Sequence, residues 1–320
     1  MTTIETTGTK AGVLASVGAS TIFAMIFALP GYLEPLSATQ IFSYRILAMT
    51  TLLAGLFSAK RMWGEVRLLL QRLWAEPWLL GVMTVNASLL GVQIWLFGYA
   101  PQNGHGLDLS LGYLMLPLVM VLVSVTIFRE ALSCARLVAV LLAAAGVSAA
   151  LFFAGGLGWS TVLVALGFPP YFVSRRVFTL NSAAAQLLEL TVILPIAVLT
   201  LCLAPSFGLL AQRPELAGTL ILLGVLSAAG FTLYLTASRV LPFALFGVLS
   251  YVEPILLLAV AVIMLGETLT GRDTAIYGPI CAALIILGTE AVRARRASRS
   301  SPLTPQPPCT RDSQLADAGR

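Results

Sequence analysis

Charge is what this sequence has least of. Only 10% of its residues are charged, against about 25% in ordinary soluble domains. A water-soluble fold of this length could not cover its surface with so few. Histidine occurs once, at His105, which excludes a His-Glu-x-x-His metal site. The cysteines, Cys134, Cys202, Cys281 and Cys309, are scattered. They share no metal-type spacing and imply no disulfide framework. No Gly-Lys-Ser/Thr phosphate loop is present, which argues against ATP hydrolysis by this chain. No cofactor and no metal are called for.

Long apolar runs are abundant instead: 58% of the chain is hydrophobic. A bilayer core needs about 20 apolar residues per helix. Candidate spans run over Gly12–Leu33, Ala38–Ala59, Trp78–Tyr99, Leu109–Phe128, Leu137–Phe153, Ser160–Phe178, Ala184–Leu203, Leu216–Thr236, Phe243–Leu265 and Ala275–Val292. The expected fold is all-α and integral to the membrane, with about ten transmembrane helices. The first span does not read as a cleaved signal peptide, because few positive charges precede it and no clear cleavage site follows.

The positive-inside rule orients these spans. With the N-terminus in the cytoplasm, only Arg213 and Arg272 of the 19 Lys and Arg residues fall outside, and Arg45 lies within a span. Both termini are then cytoplasmic in a multi-pass protein of the cell (inner or plasma) membrane. The net charge of +5 is a topology signal rather than a sign of nucleic acid. The loop Lys60–Glu76 carries Trp63, Val66, Leu69, Leu70 and Leu73 at helical spacing. That pattern fits a helix lying on the inner membrane surface, or a cytoplasmic extension of a neighbouring helix.

The chain divides into a cytoplasmic lead (1–10), a first five-helix repeat (11–155), a second (156–293) and a basic Ser/Pro-rich tail (294–320). The tail is expected to be disordered, its arginines held near anionic lipid. The repeat shows as matches at an offset of 137 residues: Ala100 with Ala237, Pro117 with Pro254, Glu130 with Glu267, Leu132 with Leu269. Five spans per half make the second half run through the membrane upside down. Inverted repeats with proline-broken helices are the architecture of secondary transporters.

Gln102-Asn103-Gly104-His105, then Ser110-Leu111-Gly112-Tyr113 and Pro117, resemble the Asn-Asn-Gly-His…Ser-Leu-Gly-Tyr…Asn-Pro signature of RarD-type permeases (chloramphenicol-sensitive proteins). Those belong to the EamA branch of the drug/metabolite transporter superfamily. The similarity covers residues 10–293 in span count and motif order. Tyr44-Arg45 falls where RarD-type proteins tend to have His-Arg, and Glu189, ahead of Pro195, matches a family position. Glu253-Pro254 and Gly266-Glu267 resemble the broader EamA pattern. Gln93-Ile94 replaces the usual Asn-Trp, Asp108 a glutamate, and Leu116 the asparagine before the proline. Glu253 stands where RarD-type sequences more often have an uncharged residue. The resemblance implies a permease fold and does not name the solute.

Ionisable groups within spans are costly and usually face a cavity or a partner. Arg45 is read as binding an anionic solute group or a carboxylate, or as snorkelling to the interface. Glu189 and Glu253 are candidate proton or solute sites, with Pro254 opening the helix beside Glu253. Gln93, Asn103, Tyr113 and Asn86 are candidate cavity-lining residues, and Tyr251 lines the pathway or packs. His105 belongs in a turn near the outer loop. Pro117 and Pro254 shape their helices. Glu130 and Glu267 are expected to cap the helices that follow them, or to gate. The expected partners are a small organic solute, the bilayer, and a proton as coupling ion. The leading reading is a proton-coupled exporter working by alternating access. The alternative is a non-transporting scaffold or sensor. An intramembrane enzyme is disfavoured, since Asp108 and Asp273 lie at span edges and cannot form a mid-membrane dyad.

Overall fold

The computed structural model describes residues 2–29, 32–256, 259 and 271–300. No strand occurs among them. The helices are α1 (Thr2–Ala28), α2 (Ala38–Ala59), α3 (Trp63–Ala75), α4 (Trp78–Gln102), α5 (Gly106–Thr126), α6 (Cys134–Ala154) and α7 (Trp159–Val177). They continue with α8 (Ala183–Leu203), α9 (Phe207–Gln212), α10 (Pro214–Val240), α11 (Phe243–Leu249) and α12 (Gly271–Ser300). Among the described residues, seven helices are long and apolar enough to cross a membrane: α1, α2, α4, α5, α6, α8 and α10.

Local chemistry sets the boundaries. Ser37 and Gln40 form a reciprocal capping box at the start of α2: the Ser37 hydroxyl accepts the Gln40 N–H at 3.3 Å, and Gln40 Oε1 accepts the Ser37 N–H at 2.9 Å. Ser133 and Ser182 cap α6 and α8 in the same sense. Arg61 takes a left-handed φ of 53° and separates α2 from α3. The loop Lys60–Glu76 therefore builds an independent helix, not an extension of α2. Val66 and Leu73 face inward from it, while Trp74 is 83% exposed.

Two expected boundaries differ. The span expected over Phe243–Leu265 is not one continuous helix. It stops at Leu249, turns at Ser250 and Tyr251, and is helical again over 252–256. Pro254 supplies the reason: it lacks the N–H that would reach the Ser250 carbonyl, which accepts instead from the Glu253 N–H at 3.3 Å. Residues 260–270, and Glu267 with them, lie outside the described residues. At the other end, α12 continues to Ser300 through a stretch of alanines and arginines, good helix formers. The expected disordered tail is thus helical over its first residues, and 301–320 lie outside the description.

The helices pack in pairs: α1 on α10, α2 on α8 and α10, α4 on α7 and α8, α5 on α7 and α11, and α6 on α12. The main apolar core joins α1, α2, α4, α5, α7, α8, α10 and α11. A second cluster binds α6 and α12 to the outer side of α5 and the α11 turn. Gly146 makes the α6–α12 crossing close, for a Cβ there would sit 2.4 Å from the Ile276 carbonyl oxygen.

Candidate functional site

A cavity lies at the centre of the main core. Its walls come from both halves of the chain: Phe23 on α1, Arg45 on α2, Gln93 and Phe97 on α4, Tyr113 and Leu116 on α5, then Phe168, Phe231 and Tyr234 on α7 and α10, and Ser250, Glu253 and Pro254 at the α11 turn. Its free volume is only about 50 Å³. The chamber is therefore narrow in this conformation.

Arg45 is 9% exposed. Its Nε donates to the Ser227 hydroxyl at 2.6 Å, and that hydroxyl donates to the Leu223 carbonyl. The guanidinium carbon lies 5.6 Å from the Phe97 ring centre. Among the described residues Arg45 has no carboxylate partner. Glu253 is buried at 8% exposure, and its carboxylate makes no hydrogen bond or ion pair among the described residues. Tyr113 shares the cavity wall with Arg45 and Glu253. Gln93 donates to the Leu163 carbonyl at 2.7 Å, fixing α4 on α7. Tyr234 and Ser250 share a hydroxyl contact of 3.1 Å.

Other candidates sit elsewhere. Glu189 is fully buried outside the cavity, where Arg175 Nη1 donates to it at 2.6 Å and the Tyr171 hydroxyl at 3.0 Å. Arg175 also reaches the Ser182 carbonyl at 2.9 Å, so the pair ties α7 to α8 across their turn. Tyr251 is 1% exposed and packs with α6 and α12. Asn103 is a surface turn residue whose amide bonds back to the Tyr99 carbonyl. Pro117 lies where α5 crosses α11, its carbonyl facing Gly247.

Glu130 caps a helix, but not the one that follows it. The following helix, α6, already has Ser133 at its N-cap. The Glu130 carboxylate instead accepts the N–H groups of Phe243 and Ala244 at 2.9 and 3.0 Å, at the start of α11. Arg176 approaches it at 3.7 Å and lies over the rings of Phe128 and Phe243. Toward this end of the bundle Phe172, Tyr234 and Phe246 pack together, with ring centres 4.7 to 5.3 Å apart.

Arg175 and Ser227 escaped the sequence reading. Arg175 counts as a loop charge until its reach across a short turn to Glu189 is considered. Ser227 is one hydroxyl in an apolar helix and carries no signal of its own.

The chloramphenicol-sensitive protein RarD of Pseudomonas aeruginosa is 38% identical over 289 residues, spanning 89% of this chain and 96% of that one. The chain belongs to the RarD-type permease family. An uncharacterized transporter of Pasteurella multocida is 33% identical over 89% of this chain and 98% of its own. These relatives place the chain among multi-pass membrane transporters. A solved crystal structure shares the fold, with a TM-score of 0.63 over 90% of this chain and 98% of that one at 18% identity. No protein-family model matches.

The RarD-type signature now has a physical content. Gln102-Asn103-Gly104-His105 is the turn from α4 to α5, with Gly104 at φ 77°. His105 stands 3.4 Å from Asp108 and edge-on to Trp159. Gly112 lets α5 approach α7, since a Cβ there would lie 2.6 Å from the Val164 Cβ. Most of the RarD-type motif is packing that brings Tyr113 to the cavity wall.

Proposed function

We propose that the protein is a secondary carrier that moves a small organic solute across the cell membrane by alternating access, as a proton-coupled exporter. The observation that carries this reading is that two buried ionisable side chains, Arg45 and Glu253, without an ion-pair partner among the described residues, share the wall of one central cavity. Charged groups in a membrane interior are kept where they meet solute or ion.

Ten spans in two inverted five-helix repeats, with both termini cytoplasmic, form the frame of the proposal. The helix pairings support it. Exchanging the halves turns α1 into α7, α2 into α8, α4 into α10, α5 into α11 and α6 into α12. Under that exchange the α1–α10 contact becomes α7–α4, and α2–α10 becomes α8–α4, while α2–α8, α5–α11 and α6–α12 map onto themselves. Rocking one half against the other about these contacts would expose the cavity to each side in turn. In the proposed orientation the Glu130 end is cytoplasmic, and Phe172, Tyr234 and Phe246 pack toward that side. Glu253 is the proposed proton carrier and Arg45 the proposed solute contact. Glu189, paired with Arg175, is assigned a structural role.

A panel of solutes, chloramphenicol included, tests this in cells lacking and then overproducing the chain. The reading expects overproduction to lower the accumulation of one solute class, and Arg45→Gln to abolish the effect while the protein still inserts. Accumulation unchanged across the panel, or unaltered by Arg45→Gln, contradicts it.

A further inference from the structure

Three arginines from three helices gather around one carboxylate at the Glu130 end of the bundle. Arg136 stands in the first turn of α6, Arg176 in the last turn of α7 and Arg239 in the last turn of α10. With Glu130 they line an open pocket of about 460 Å³ free volume. Glu130 cannot neutralise them. Its two oxygens already accept the Phe243 and Ala244 N–H groups, and Arg176 Nη2 approaches it at 3.7 Å. Arg176 Nη1 has no hydrogen-bond partner among the described residues. Arg239 donates to the Asn181 carbonyl at a long 3.4 Å. The pocket wall thus holds three cations against one carboxylate that is committed elsewhere.

Its surroundings are apolar. Val240, in the wall itself, is 38% exposed. Leu137 and Val177, next in sequence to Arg136 and Arg176, are 49% and 52% exposed. α6 and α10 are both long and apolar enough to cross a membrane, and the arginines lie at their ends. The pocket therefore sits where spans leave the bilayer.

We infer that this pocket binds the headgroup phosphate of an anionic phospholipid, whose acyl chains lie along the exposed apolar side chains beside it. The arginine fork matches the geometry of phosphoryl oxygens. In the proposed orientation this is the cytoplasmic leaflet, whose anionic lipids attract basic residues. A free phosphate would meet the same arginines but gain nothing from Leu137, Val177 and Val240. The site straddles the two halves, with Glu130 and Arg136 from the first and Arg176 and Arg239 from the second. An occupied site clasps α6, α7 and α10 together at this end. The inference needs a membrane-embedded chain and holds whatever the solute.

The test is native mass spectrometry of the full chain, delipidated in detergent and offered phosphatidylglycerol or phosphatidylcholine, whose choline cation offsets its phosphate. Phosphatidylglycerol is expected to bind at least about tenfold more tightly, one charge-assisted contact being worth that factor or more. Arg136→Gln combined with Arg239→Gln should remove the preference. Lys60→Gln combined with Arg67→Gln takes the same charge from exposed positions around α3 and should keep it. A phosphatidylglycerol with a photoreactive headgroup, used on the unmutated protein, should label segments 129–136 or 239–242, which fixes the location even if a variant fails to fold. Equal affinity for the two lipids, labelling confined to other segments, or an equal loss of preference in both double variants would overturn the inference. Thermal protection of the delipidated protein by inorganic phosphate that matches protection by phosphatidylglycerol would overturn the lipid assignment.

Discussion

Glu130 closes the N-terminus of a helix that begins at Phe243, accepting its N–H at 2.9 Å across 113 positions of sequence. The two residues belong to different halves, so the contact fastens the α5–α6 loop of one half to the broken helix of the other. α11 is short and has no side-chain cap of its own. Without Glu130 its first N–H groups lose their acceptor. Glu130→Ala should therefore cost about 1–2 kcal/mol of stability, and Glu130→Gln, which keeps one carbonyl acceptor, about half of that. Thermal unfolding in detergent measures both. Equal stability of Glu130→Ala and the unmutated protein would remove the cap from the account.

The Arg175–Glu189 pair makes a different prediction. Both side chains are at most 1% exposed. Removing one partner leaves a buried charge, which costs about 3–5 kcal/mol. Glu189→Gln or Arg175→Met alone should lower folded yield and melting temperature sharply. Combining Arg175→Met with Glu189→Leu should recover most of the loss, because no charge then remains buried. A double variant as unstable as the single ones would contradict this account of the pair.

Glycine positions give paired tests. A side chain at Gly146 must push α6 away from α12, since even a Cβ would meet backbone at 2.4 Å. Gly146→Leu should abolish the folded state, whereas Gly81→Leu should be tolerated, because a Cβ there has nothing within 4 Å. Folded yield by size-exclusion chromatography separates the two. Similar yields would show that the helices pack less closely than described.

Gly167 bears on the cavity itself. A Cβ there would lie 2.1 Å from Gln93 Nε2, so Gly167→Ala must displace the amide that holds the Leu163 carbonyl. Stability should fall by about 1 kcal/mol, one net hydrogen bond's worth, and solute flux should fall with the displaced amide. Unchanged flux would take Gln93 out of the pathway.

The sequence made the helices legible because hydrophobic length and capping serine are local signals. α2 occupies the predicted Ala38–Ala59 to the residue, and its cap is written in Ser37 and Gln40. Arg45 and Glu253 stand out in the sequence by their cost inside apolar spans, and with Gln93 and Tyr113 they stand around one chamber. What stayed hidden depends on which helices touch. Glu189 carried the same burial signal as Glu253, yet its partner sits on a neighbouring helix and turns the same chemistry into a fastening. The sequence points the Glu130 cap at the helix that follows it, because nothing local reveals a helix start more than a hundred residues away. The α11 break was partly readable, since Pro254 announces a missing donor, but where the chain would turn depends on packing.

The central claim is that Glu253 carries a proton that exchanges against solute in the cavity it shares with Arg45. Proteoliposomes holding the full chain, a solute found in the cell assay and a trapped pH-sensitive dye test it most directly. The account predicts that an imposed pH gradient drives solute flux, that a solute gradient moves internal pH in return, and that Glu253→Gln keeps solute–solute exchange while losing both couplings. Solute flux with no pH change in the unmutated protein, or coupling that survives in Glu253→Gln, would contradict it.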